Sequence, residues 1–165
     1  MRKRTVVAFA VLSAMVVGPL SQAGGVPNTC QGKKVTISGT SGDDFLQGTP
    51  DRDVIAGGDG NDFIQGFGAR DTICGGDGQD TIYGGSGADS IRGGKKRDVV
   101  FGGDGDDYVY GGHGDDTLYG ERGRDRLFGR KGADVLWGGP QRDRLRGGPG
   151  KDFCYEGENT KSCKQ

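Results

Sequence analysis

GGDGNDFIQ (Gly57–Gln65), GFGARDTIC (Gly66–Cys74) and GGDGQDTIY (Gly75–Tyr83) follow one another without a gap, and their nine-residue pattern decides the reading of the chain. Each unit opens with Gly, carries Asp at its sixth position and an aliphatic residue at its eighth. The register continues upstream through GTPDRDVIA (Gly48–Ala56) to GTSGDDFLQ (Gly39–Gln47). Downstream it runs through GGSGADSIR, GGKKRDVVF, GGDGDDYVY, GGHGDDTLY, GERGRDRLF, GRKGADVLW and GGPQRDRLR to GGPGKDFCY, which ends at Tyr155. The thirteen units place Asp at 44, 53, 62, 71, 80, 89, 98, 107, 116, 125, 134, 143 and 152, and the eighth position is Leu, Ile or Val except for Cys154. A fold built on this unit is required, because such a repeat buries its apolar face only against its neighbours.

Positions one to five of each unit are turn-forming, and positions seven to nine alternate outward, inward, outward as a three-residue strand does. A strand this short is unstable alone, but parallel stacking at about 4.8 Å pairs each with the next. Two units then make one coil, with odd units in one sheet and even units in the other. Leu46, Ile64, Ile82, Val100, Leu118 and Leu136 would face Ile55, Ile73, Ile91, Val109, Leu127 and Leu145 across a core one side chain thick. Glycine supplies 36 of 165 residues and hydrophobic residues only 32%, a composition that without the period would suggest disorder.

The unit resembles the RTX nonapeptide, GGxGxDxUx, over all 117 residues of the array. The resemblance implies an all-β fold, a right-handed parallel β-roll of two facing parallel sheets, with several Ca2+ ions held between successive turns by backbone carbonyls and Asp carboxylates. It implies metal sites at Asp44, Asp62, Asp80, Asp89, Asp107, Asp116, Asp125, Asp134 and Asp152. The turn glycines of those sites are Gly58, Gly60, Gly76, Gly78, Gly85, Gly87, Gly103, Gly105, Gly112 and Gly114. Physical chemistry agrees, since calcium takes six to eight hard oxygen ligands. Stacked carboxylates one strand apart repel by roughly 1 kcal/mol in water and about 4 kcal/mol at an effective dielectric near 20. The rival role for each Asp is to cap its own turn.

The units are unequal. Asp51, Ala69, Lys96 and Gln141 replace the fourth-position Gly, and each is followed by arginine: Arg52, Arg70, Arg97 and Arg142. These arginines either neutralise the Asp column where calcium does not bind or are solvated surface charges. The strongest sites are then expected at Asp44, Asp62 and Asp80 on one side and Asp89, Asp107 and Asp125 on the other.

Outside the array, residues 1–23 read as a secretory signal peptide: Arg2, Lys3 and Arg4, an apolar stretch to Leu20, then Ser21-Gln22-Ala23. Residues 24–38 form a lead-in and cap with Ile37 in the eighth-position register, residues 39–155 the roll, and residues 156–165 the opposite cap. Export predicts an extracellular, secreted chain in which cysteines pair. Of three possible pairings, Cys154 with Cys163 pins the end of the array, and Cys30 with Cys74 requires an irregular lead-in.

Setting aside Arg2, Lys3 and Arg4 leaves 19 basic against 23 acidic side chains, which offers no electrostatic case for nucleic acid. The short apolar start gives none for membrane insertion. His113 is the one histidine, in a turn and without a triad partner, so the chain is read as not an enzyme. The ninth positions of the odd units end in Tyr83, Phe101, Tyr119, Trp137 and Tyr155. This aromatic column is either a structural ladder or a face for a partner, with a cell-surface polysaccharide or self-association as candidates.

Overall fold

The computed structural model describes residues 28–156 and 159–163, so the segment read as a signal peptide, residues 1–23, lies outside the described residues. Among the described residues every regular element is a strand. The odd units form one sheet: Phe45–Gln47, Phe63–Phe67, Thr81–Ser86, Val99–Asp104, Thr117–Arg122, Val135–Trp137 and Phe153–Glu156 pair in parallel in that order. The even units form the other: Val54–Asp59, Thr72–Asp77, Ser90–Lys95, Tyr108–His113, Arg126–Lys131 and Arg144–Arg146. Each strand pairs with the one 18 residues away, as in Val100 against Leu118 and Val109 against Leu127. The chain is therefore a parallel β-roll of two sheets.

The period dictates the core. Ile64, Ile82, Val100, Leu118 and Leu136 of the odd sheet and Ile55, Ile73, Ile91, Val109 and Leu127 of the even sheet are wholly buried. Leu46 and Cys154 extend this cluster, and Ile37, Leu145 and Cys163 pack on it half-buried. At roughly 1.5–3 kcal/mol for each fully buried aliphatic side chain, the column stabilises the stack, with nothing behind it.

Strand length differs from the three-residue expectation. Interior strands run six residues, from the seventh position through the third position of the next unit, as in Thr81–Ser86 and Tyr108–His113. The glycine at position one allows this, because it lets the backbone cross the inward-facing point where a side chain would collide with the carboxylate layer. The true turn is compressed into positions four to six.

The ends are closed by different devices. Ile37 pairs with Ile55, so the lead-in adds a strand to the even sheet, and Asn159–Ser162 returns antiparallel along Phe153–Glu156. Thr29–Cys30 and Lys33–Lys34 form a small antiparallel hairpin that lies on the outer face of the even sheet. Cys30 is bonded to Cys74, the irregular lead-in that this bridge requires, and Cys154 is bonded to Cys163. Lys33 Nζ donates to Thr72 Oγ1 at 2.7 Å, and Gln31 exchanges hydrogen bonds with Ser90. The hairpin explains why Ala56 and Thr72 are buried on an outward face.

Candidate metal centre

Two columns of sixth-position aspartates run along the two edges of the roll. Within each, the backbone amide of one Asp donates to Oδ1 of the Asp one coil ahead: Asp62 to Asp80, Asp80 to Asp98 and Asp98 to Asp116, each at 2.9 Å. The other column repeats this from Asp71 to Asp89 at 2.8 Å, Asp89 to Asp107 at 2.8 Å and Asp107 to Asp125 at 2.9 Å. Asp134 completes the pattern by donating to Asp152. These charge-assisted bonds hold each carboxylate in a fixed rotamer inside the turn.

The second oxygen has no such partner. Oδ2 of Asp62, Asp71, Asp80, Asp89, Asp98, Asp107, Asp116, Asp125 and Asp134 is buried without a hydrogen bond. An unpaired buried charge is costly, and burial raises the pKa values accordingly. Asp98 and Asp107 are pushed up to about 8 and Asp116 to about 7, by burial first and then by neighbouring aspartates. Asp62, Asp71, Asp80, Asp125 and Asp134 rise to about 6 for the same first reason, and Asp89 also rises.

Each orphaned oxygen packs against the first-position glycine of its own unit. A Cβ on Gly102 would stand 2.5 Å from Asp107 Oδ2 and 2.9 Å from the Gly120 carbonyl oxygen, so only glycine fits beside the carboxylate. The second- and fourth-position glycines aim further carbonyls along the stack: a Cβ on Gly76 would collide with the Gly58 carbonyl, and one on Gly105 with that of Gly87. Gly58, Gly60, Gly76, Gly85, Gly87, Gly103, Gly105, Gly112 and Gly114 all have φ between 109° and 143°. Gly78 keeps the close approach, against the Gly60 carbonyl, without that φ. Among the described residues no group of three or more His, Cys, Asp or Glu side chains converges, so a cation here relies on carbonyls plus sparse carboxylates. That donor set is the hard-oxygen chemistry of calcium and lacks the nitrogen and sulfur that zinc prefers.

The sequence profile of the RTX calcium-binding nonapeptide repeat (4 copies) matches residues 36–64, 47–82, 65–95, 83–118, 92–127 and 119–154. The chain belongs to this family. No curated protein sequence matches it. As an RTX calcium-binding repeat protein it is a β-roll whose repeats are calcium-binding, with two cystines.

Against this RTX frame the individual aspartates sort differently from the expectation. Asp44 was expected among the strongest sites, yet its Oδ2 accepts from the Thr40 amide at 2.6 Å and from Thr40 Oγ1 at 3.0 Å. Thr49 does the same for Asp53. In these first two units a second-position threonine supplies the partner, and Asp caps its own turn. Asp71 and Asp98, omitted from the expected sites because their units bear Arg70 and Arg97, have the same buried, unpartnered Oδ2 as the rest. Their sixth-position identity was the signal.

The arginines act one coil ahead of their own unit. The Arg52 guanidinium lowers the pKa of Asp71 and Arg70 that of Asp89, each against the larger effect of burial. Lys96 acts in the opposite direction, on Asp80 one coil behind its own unit, while Arg97 approaches exposed Asp115 one coil ahead at 3.9 Å. Ala69 and Lys96 still adopt left-handed turns, with φ of 61° and 68°.

The aromatic column of the odd sheet is longer than expected. Tyr83, Phe101 and Tyr119 stack at 4.6 and 4.8 Å between ring centres, and Trp137 stacks on Tyr155 at 3.8 Å. Tyr119 continues to Trp137 at 6.4 Å, while Phe63 meets Tyr83 at 5.5 Å and stacks on Phe45 at 5.1 Å. Phe45 and Phe63 come from the seventh position, which the ninth-position column does not reveal. Within the stacked run the ring faces are turned to one another. His113 is exposed on the outer face of the even sheet.

Proposed function

We propose that the chain is an exported, non-catalytic calcium-binding protein whose turns hold several calcium ions and which completes its folding on binding them. One observation carries this reading: the two rows of buried carboxylates whose Oδ2 atoms lack a protein partner. Asp62, Asp71, Asp80, Asp89, Asp98, Asp107, Asp116, Asp125 and Asp134 would hold the ions, together with carbonyls of the turn glycines. Calcium supplies there the positive charge and the oxygen-coordinating capacity that the buried carboxylates lack. Removing it leaves like charges stacked beside a core one side chain thick, which favours the unfolded chain. Asp44 is left out because Thr40 already satisfies it.

Export is supported by the basic start and apolar stretch of residues 1–23 and by two cystines, which persist in oxidising compartments. The mutual stacking of the odd-sheet rings favours a structural role for that column over sugar stacking, because sugars would need open ring faces. The test is far-ultraviolet circular dichroism of the purified chain during calcium titration. A β signal should develop at roughly 0.1–1 mM calcium, the range of extracellular modules, and magnesium should not replace it. A full β signal after exhaustive chelation would refute folding on binding.

A further inference from the structure

We infer that the outer face of the even sheet, between Ser90 and Arg146, is a docking surface for a linear acidic polysaccharide. The strands SIRGGK, YVYGGH, RLFGRK and RLR that build it contain no Asp or Glu. Arg92, Arg126, Arg130, Lys131, Arg144 and Arg146 project from them, and none is ion-paired among the described residues. Asp77, on the preceding strand, is occupied by Lys95 at 2.6 Å. The odd sheet shows no such bias: its strands carry Asp104 and Glu121 alongside one arginine, Arg122. The basic face therefore stands out on a chain of formal charge −1.

The cations are in register. Lys95 and Lys131 share one register position on the two strands that flank His113, and Arg126 lies directly beside Arg144. Like charges at adjacent sheet positions are destabilising, so the arrangement carries a cost that an anionic occupant removes. Two guanidiniums are held in place by rings: Arg126 lies over Tyr108 at 4.6 Å and Arg130 over Tyr110 at 5.0 Å. A groove of about 630 Å³ crosses this face over Gly76, Gly94 and Gly112, with Arg92, Lys95, Arg130 and Lys131 on its walls. Its cations stand on alternate strands, Lys95 and Lys131 two strand spacings or about 9.6 Å apart, close to the advance of one disaccharide along an extended glycan.

The same geometry argues against nucleic acid. Single strands bind by stacking bases on open aromatic faces, and here Tyr110 stacks on Phe128 at 4.8 Å while both tyrosines are covered by arginine. Exposed Asp106 and Asp115 border the face on its two long edges. Asp106 is paired with Arg124 at 2.8 Å and Asp115 with Arg97 at 3.9 Å, so the unpaired cations are confined to the strip between these edges, a width that a single narrow chain covers.

The test uses the full chain with saturating calcium and hyaluronate, which carries one carboxylate per disaccharide, with dextran sulfate as a second acidic chain and neutral dextran as control. Both acidic chains should bind and the neutral one should not, with affinity falling as sodium chloride rises. The triple variant Arg92→Gln/Arg130→Gln/Arg146→Gln should lose about tenfold or more in affinity. Arg97→Gln/Arg122→Gln/Lys151→Gln, which removes equal charge elsewhere, should not. Calcium-induced circular dichroism of each variant separates loss of the surface from loss of the fold. Absence of binding by the folded wild type, equal binding by the first triple variant, or tighter binding to an oligothymidylate or to phosphatidylglycerol vesicles would overturn the proposal.

Discussion

The amide of Asp80 donates to Asp98 Oδ1 at 2.9 Å while Asp98 Oδ2, a few bond lengths away in the same buried carboxylate, has no hydrogen bond. One oxygen serves the fold and the other is available to a cation. Asp98→Asn preserves an acceptor for the Asp80 amide but removes the charge, so the calcium midpoint for folding should rise several-fold while the folded form remains reachable. Asp98→Ala removes both and strands a buried amide, adding about 1–3 kcal/mol of destabilisation. Asp44→Asn, where Thr40 already occupies the carboxylate, should leave the midpoint nearly unchanged. Calcium titrations of the three variants by circular dichroism check the ordering.

Proton binding should stand in weakly for calcium. Because burial raises Asp98 and Asp107 to about 8 and Asp116 to about 7 in the folded chain, the folded state binds more protons than the unfolded one. Their contribution in chelator is fully present below the unfolded value of about 4 and is lost as pH rises through about 6 to 8. The melting temperature in chelator should therefore fall from about pH 5 to pH 8. With calcium the dependence reverses, since protons must leave: the calcium midpoint should rise as pH falls. Thermal melts at several pH values, with and without calcium, read both trends.

Glycine at the first position is a steric requirement. A Cβ on Gly75 would stand 2.6 Å from the Gly93 carbonyl oxygen and collide with Asp80 Oδ2, whereas one on Gly42 meets nothing nearer than Thr40 Oγ1 at 4.0 Å. Gly75→Ala should cost about 2 kcal/mol or more and weaken calcium binding, while Gly42→Ala stays within about 0.5 kcal/mol. Urea denaturation in saturating calcium compares them.

Arg52 and Arg70 partly neutralise Asp71 and Asp89. In Arg52→Gln/Arg70→Gln the even-edge column loses two cations, so the calcium-free chain should be less stable at neutral pH. In calcium the variant should bind more ions or bind them more tightly. Equilibrium dialysis measures this, and an unchanged isotherm would make both arginines simple surface charges.

The core and both sheets could be read from the period because one aliphatic residue every nine positions leaves no second way to face Ile73 or Leu118 inward. The Asp columns were legible for the same reason, down to Ile37 continuing the register in the lead-in. The hairpin Thr29–Lys34 was not, since no repeat governs it and its position is set by a disulfide and by Lys33 and Gln31 reaching across the sheet. Nor did the repeat reveal that Thr40 and Thr49 satisfy their own aspartates, a local substitution whose effect depends on side-chain geometry. The arginine effect was visible as a pattern but displaced by one coil, because a long side chain at a turn reaches the next layer.

Cys30 and Cys74 lie 44 positions apart, and Cys154 and Cys163 lie 9 apart. Under a stretching force applied to the two ends of the chain, tension passes from Cys30 straight to Cys74 through sulfur and leaves at Cys154. The first coils, including the two turns capped by threonine, hang outside that path and carry no tension. Only the stretch from Cys74 to Cys154, where the unpartnered carboxylates are concentrated, is put under strain, so calcium concentration would set the force at which the molecule yields.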